Sequence, residues 1–452
     1  MTPRRLLLQF VAAGTIMPAA LVAQSAPTGG AAAPTAVHSP APAPAAATRA
    51  RGAITAGARV SPRAAAAFVP ERLARIDHWI QSLVAEQKIP GAVVLLVKDG
   101  EVAYSKAWGV RELGKPEALR TDDIFRIASQ TKAITSLAVM MLWEEGRFQL
   151  DDPVSRYLPA FAKPTVLTKF NPADSSYEAR PAKEEITIRQ LLTHTSGLDY
   201  ADIGSEEFRA IYAKAGITAL GREGDVLAER IDRLGKLPLH SDPATEWRYS
   251  LGIDVLGRLV EVWSGMPFDR FLRTRIFDPL GMKDTWFELP ADRRNRLVTL
   301  HQQTDGKLVP AHDVVAGALT HPDFPARRVT YFSGGGGLSS TATDYARFLQ
   351  LFLNGGELDG VRLVGRKTVE LMLTNQVYSM WPKFGLGFGL ETADNDSRTP
   401  LSAGSFEWGG AFNTTYWADP TERLVALIFT NTWGGQVALG DPFKTFVYSA
   451  LR

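Results

Sequence analysis

The chemistry most open to the chain lies in three short stretches. The first is Ser129-Gln130-Thr131-Lys132, at the head of the run 133–142, which is almost wholly apolar. An apolar run of that length predicts a helix buried on most sides. A serine and a lysine three apart then share one face at its first turn. There the positive end of the helix dipole and burial together disfavour the lysine cation. A neutral lysine could take the serine proton and make Ser129 a nucleophile. A blander reading is equally open on these residues, with an N-cap serine beside a lysine whose ammonium reaches solvent.

The second stretch is ATEWRYSLGIDVLGRLVEVWSG (244–265), where Tyr249 precedes a helical pattern carrying Ile253, Val255, Leu256, Leu259 and Val260. Tyr249 is either a buried aromatic with a satisfied hydroxyl or a phenol beside Lys132 that relays a proton to a leaving group. The third is FEWGGAFNTTYWADP (406–420). Gly409 and Gly410, read as a strand start, let backbone approach a ligand closely. The amide of Ala411 could then join that of Ser129 in an oxyanion hole; a glycine bulge entering an edge strand is the plainer alternative.

Other chemistries lack their signatures. There is no G-x-S-x-G, no H-E-x-x-H and no phosphate-binding glycine loop, since Gly334–Gly337 lacks both spacing and context. The seven histidines show no ligand spacing, and there is no cysteine, which excludes disulfides, thiolate metal sites and a thiol nucleophile. No metal or organic cofactor is called for. His194 in HTSGL (194–198) reads as part of a turn rather than as a base.

Elements must bring these pieces together. Leu73, Ile76, Ile80, Leu83 and Val84 mark a helix after Pro70. GAVVLLV (91–97) and EVAYSKAW (101–108) flank Asp99-Gly100 as a hairpin, and NTTYWADP (413–420) with RLVALIFTN (423–431) reads as a second. Helical patterns occupy 132–145, 186–193, 252–264, 268–275 and 342–353, and a last helix runs 442–451. Strands at both ends with helices between predict an α+β fold: an antiparallel sheet flanked by helices, with an inserted all-helical domain.

The first 66 residues read differently. Arg4-Arg5, the apolar run Leu6–Val22 and the small residues after it predict a signal peptide over 1–23. Residues 24–66 hold 17 Ala and 6 Pro, too little apolar surface to offset chain entropy, and read as a disordered linker. The catalytic domain is then 67–452, in the periplasm or secreted, with no stable membrane span once the signal is removed. The formal charge of +2 becomes −4 without the arginines at 4, 5, 49, 51, 59 and 63, so nothing in the charge suggests a nucleic-acid partner.

Taken in order, the three stretches resemble the serine β-lactamase and penicillin-binding protein superfamily. PGAVVLLVKDG (90–100), FRIASQTKAITSLAVMMLWEEGRFQLDDPVSRYLP (125–159), ITIRQLLTHTSGL (186–198), YSLGIDVLGRLVE (249–261), FDPLGMKDT (277–285) and GGGGLSSTATDYARF (334–348) carry that resemblance. It is strongest to class C β-lactamases and family VIII carboxylesterases. It implies Ser129 as nucleophile, Lys132 as its base, Tyr249 as a second proton-transfer group, and the Ser129 and Ala411 amides as the oxyanion hole.

Two departures from the lactamase pattern stand out. The usual Tyr-x-Asn is Tyr249-Ser250-Leu251, and the usual Lys-Thr-Gly is Trp408-Gly409-Gly410. Leu251 offers no hydrogen bond to an amide. Trp408 puts an indole where a lactam carboxylate would meet a cation. With Leu251, Trp408, Gly409 and Gly410 lining the pocket, the expected substrate is a small-molecule neutral ester, and a β-lactam or cell-wall peptide is the alternative.

Overall fold

The computed structural model describes residue 54 and residues 59–222, 224–311, 324–378, 380–434 and 437–452. The predicted signal segment and most of the linker lie outside these residues.

Six strands make one antiparallel sheet: β1 (Gly91–Lys98), β2 (Glu101–Gly109), β3 (Gly389–Leu390), β4 (Phe406–Gly410), β5 (Thr414–Asp419) and β6 (Leu424–Phe429). Their order is β3-β4-β5-β6-β1-β2. The two predicted hairpins therefore lie side by side, and β1 pairs directly with β6, Val93 opposite Phe429 and Lys98 opposite Leu424. Successive side chains on a strand point to opposite faces. On β1, Val93, Leu95 and Val97 enter one core while Ala92, Val94 and Leu96 enter the other.

Each face is covered by helices. Ile76 and Ile80 of α1 (Pro70–Ala85) close one side, joined by Phe443 and Val447 of the C-terminal helix (Gly440–Ala450). The other side receives α2 (Thr131–Glu144), α3 (Gly252–Ser264) and α4 (Ala342–Leu353). Twelve of the fourteen residues of α2 are buried, as its unbroken apolar run requires.

Helices dominate the stretch between the two halves of the sheet, but it is not exclusively helical. It also carries an exposed hairpin, Thr165–Asn171 with Ser176–Pro181, and a smaller one, His301–Thr304 with Lys307–Pro310. The predicted linker also ends earlier than residue 66. Ser61 caps a short helix, Pro62–Ala65, and its amide donates to the Val102 carbonyl at 2.8 Å. Ala64 and Ile54 are buried, and the Ile54 carbonyl accepts from Arg347. Small side chains suffice here because they dock on a surface already formed by the sheet and α4. No helix among the described residues is long and apolar enough to cross a membrane.

Ile76 is fully buried between α1 and the sheet. Ile76→Ala is expected to lower the unfolding free energy by about 2–5 kcal/mol, read as a shifted urea midpoint with an unchanged slope.

Candidate active site

Ser129 lies in a single 3-10 turn, Ala128–Gln130, that runs straight into α2. Gln130 takes the N-cap place and no side chain caps the helix, so Ser129 is not used as a cap. Ala128 stands at φ 43°, a left-handed conformation costly for a residue with a side chain. The turn is held from several sides. The Ile127 amide donates to the Leu338 carbonyl at 3.1 Å, the Tyr345 hydroxyl to the Gln130 carbonyl at 2.8 Å, and the Leu338 amide to Thr131 Oγ1 at 3.1 Å.

Lys132, one turn on, is only 2% exposed, so its ammonium does not reach solvent. Its Nζ contacts Ser129 Oγ at 3.2 Å, the Tyr200 hydroxyl at 3.3 Å and the Gly335 carbonyl at 2.7 Å. It also sits over the face of the Tyr249 ring, 4.5 Å from the centroid. The structure thus brings Ser129, Lys132 and Tyr249 together, with one difference. The phenol within hydrogen-bond distance of the ammonium is that of Tyr200, whereas Tyr249 meets it with its ring. The Tyr249 hydroxyl is buried and has no partner among the described residues.

Tyr200 was hidden in the sequence, just past the segment 194–198 read as a turn and 68 positions from the lysine it meets. It stacks on Tyr249 with centroids 5.4 Å apart. Burial, reinforced by Tyr249 and Asp254, pushes its phenol well above the ordinary tyrosine value, so it stays protonated and able to donate. His194 packs 4.8 Å from the Tyr249 ring with Nδ1 3.4 Å from Ser250 Oγ. Burial, then the Lys132 charge, holds its imidazole well below the usual histidine value, and it is neutral at pH 7.

Trp408 lies on β4 with its ring 5.6 Å from Tyr249 and 5.3 Å, edge to face, from Phe384. Trp247 completes an aromatic wall, 6.1 Å from Tyr249. Leu251 is 1% exposed and belongs to the core beneath the site, not to an open pocket surface. Gly409 and Gly410 end β4; they do not begin a strand as expected. A Cβ on Gly410 would lie 2.3 Å from the Ile127 carbonyl oxygen. Only glycine lets the strand end, and Ala411 just beyond it, meet the turn that carries Ser129. That juxtaposition is what an oxyanion hole built on the Ser129 and Ala411 amides needs.

A cavity of about 550 Å³, lined in part by Arg273, Phe277, Trp286 and Phe332, includes neither Ser129, Lys132 nor Tyr249. Among the described residues, no three His, Asp or Glu side chains are grouped so as to hold a metal ion.

Residues 76–446 match the sequence profile of the family described as Beta-lactamase. Esterase EstB of Burkholderia gladioli is 32% identical over 376 residues, covering 79% of this chain and 90% of that protein. Lovastatin esterase of Penicillium rubens is 34% identical over 291 residues, covering 63% and 69%. Among solved structures, EstCE1, titled a hydrolase with promiscuous acyltransferase activity, superposes with a TM-score of 0.69 at 26% identity, covering 84% of this chain and 98% of that one. The chain belongs to the beta-lactamase family. It is a serine hydrolase of that family with esterases among its relatives.

Gly410→Ala is expected to displace the strand end from the Ser129 turn. Its kcat on a p-nitrophenyl ester should fall by about 10²–10³-fold, the usual cost of one lost oxyanion donor. Stopped-flow measurement of the acylation burst checks this.

Proposed function

We propose that this protein is an exported carboxylesterase acting through an acyl-enzyme on Ser129. The observation that carries the reading is the 3.2 Å contact between Ser129 Oγ and the buried Lys132 Nζ. Lys132 in its neutral form takes the serine proton, and Oγ attacks the ester carbonyl carbon. The carbonyl oxygen becomes an oxyanion between the Ser129 and Ala411 amides. Tyr249, whose hydroxyl has no partner among the described residues, delivers its proton to the departing alkoxide as the C–O bond breaks. Water then attacks the acyl-enzyme by the same route in reverse, releasing a carboxylic acid and freeing Ser129. Tyr200 and the Gly335 carbonyl keep Lys132 aimed at Oγ throughout.

The substrate preference rests on Trp408. An indole packed against Phe384 and Tyr249 offers apolar surface and no cation, which suits a neutral acyl ester better than an anionic lactam. The esterase names among the relatives support the same choice. The leader features of residues 1–66 support export to the periplasm or beyond.

Turnover of a p-nitrophenyl ester is expected to exceed that of a chromogenic cephalosporin, and lactam turnover faster than ester turnover would reverse the assignment. Ser129→Ala should lower ester turnover by at least about 10³-fold and abolish labelling by a fluorophosphonate probe. Trp408→Lys should raise the ratio of lactam to ester activity; an unchanged ratio removes Trp408 from the specificity argument.

A further inference from the structure

Asp254 stands out in α3 as a carboxylate among Ile253, Val255 and Leu256, and it is fully buried. Its Oδ1 accepts the Ser333 hydroxyl at 2.6 Å and the Gly335 amide at 3.3 Å. Its Oδ2 is buried and has no partner among the described residues. The Gly335 residue held in this way is the one whose carbonyl accepts Lys132 Nζ at 2.7 Å. The approach is tight. A Cβ on Gly335 would lie 2.4 Å from Asp254 Oδ2, so the carboxylate crowds this glycine, with Lys132 Nζ at ordinary contact distance, 3.5 Å. The preceding residue is pinned as well, with Thr135 Oγ1 donating to the Gly334 carbonyl at 2.8 Å.

We infer that Asp254 is a positioning residue for the hydrolytic reaction: it clamps the 333–335 segment so that the Gly335 carbonyl holds Lys132 aimed at Ser129. The inference rests on Lys132 being the base, as proposed above. Three titratable groups face this carboxylate: Lys132 from α2, Tyr200 from the loop before residue 205, and Tyr331 from the segment that carries Ser333. Both tyrosines are pushed well above the ordinary phenol value by burial and then by neighbours that include Asp254, so both phenols stay protonated. The hydrogen bond from Ser333, whose hydroxyl also lies 3.2 Å from the Ala219 carbonyl, stops the carboxylate from turning toward Nζ to form a direct ion pair. Lys132 Nζ therefore meets the Gly335 carbonyl, and the carboxylate acts on it through the segment that it holds.

The test compares Asp254→Ala, Asp254→Asn and Ser333→Ala on a p-nitrophenyl ester, with Lys132→Met as reference and thermal unfolding as a check on folding. Asp254→Ala loses the clamp, and kcat should fall by about 10²-fold with KM within about threefold, the pattern of a misaimed group. Asp254→Asn keeps an oxygen for the Gly335 amide and should recover most of kcat. Ser333→Ala should fall between wild type and Asp254→Ala.

Wild-type kcat in Ser333→Ala would overturn the inference, even if Asp254→Ala fails to fold. So would an Asp254→Asn as impaired as a well-folded Asp254→Ala. If Lys132→Met retains activity, the base assignment itself fails, and that result is separate from any behaviour of residue 254.

Discussion

The site is organised around an ammonium removed from water. A charge buried to the degree of Lys132 costs several kcal/mol unless its donors are met and its field is answered. Here the donors are met by the Gly335 carbonyl and by the hydroxyls of Ser129 and Tyr200, and the remaining face by the π cloud of Tyr249. Each partner comes from a different part of the chain. Holding them at one point fixes the relative placement of α2, the loop that carries Tyr200, the segment before α3 and the glycine run. The glycine run is crowded along its length: α2 and α3 close on Gly334 and Gly335, and Leu220 and Phe287 on Gly336 and Gly337.

Much of this was legible before any coordinates. Asp99-Gly100 between two β-rich runs specified the β1–β2 hairpin, and the apolar run after Lys132 specified a helix buried all round. The spacing of Ser129 and Lys132 put both on one face of that helix. Order along the chain tied Tyr249 and the Trp408-Gly409-Gly410 strand to them. These signals are local: each is a pattern within a dozen residues whose physical meaning does not depend on what lies far away.

The features that escaped the sequence depend on distant partners or lack an apolar signature. Tyr200 acquires its role from a lysine 68 positions away. Asp254 did leave a trace, a carboxylate within an apolar helical stripe, but its partners Ser333 and Gly335 lie some eighty residues on. The glycine run was set aside because it lacked phosphate-loop spacing; its purpose is close packing against Asp254 and Phe287. The hairpin over 165–181 went unread because its second strand is wholly exposed and shows no alternation of apolar residues. Residues 59–66 looked too poor in apolar surface to fold, and alone they are; they are ordered on a surface that the rest of the domain supplies.

The pairing of β1 with β6 has a consequence for how the protein comes into being. The middle of the sheet joins one strand to another made more than three hundred residues later, with Val93 opposite Phe429. Between them lies almost the whole domain, so closing the sheet means closing a loop of more than three hundred residues, a slow and entropically costly event. Until it closes, a nascent or C-terminally clipped chain carries the serine and the lysine but has no strand to bring Gly410 against them. The site is thereby tied to completeness, and a fragment that bears Ser129 and Lys132 does not yet hold the strand end that meets them.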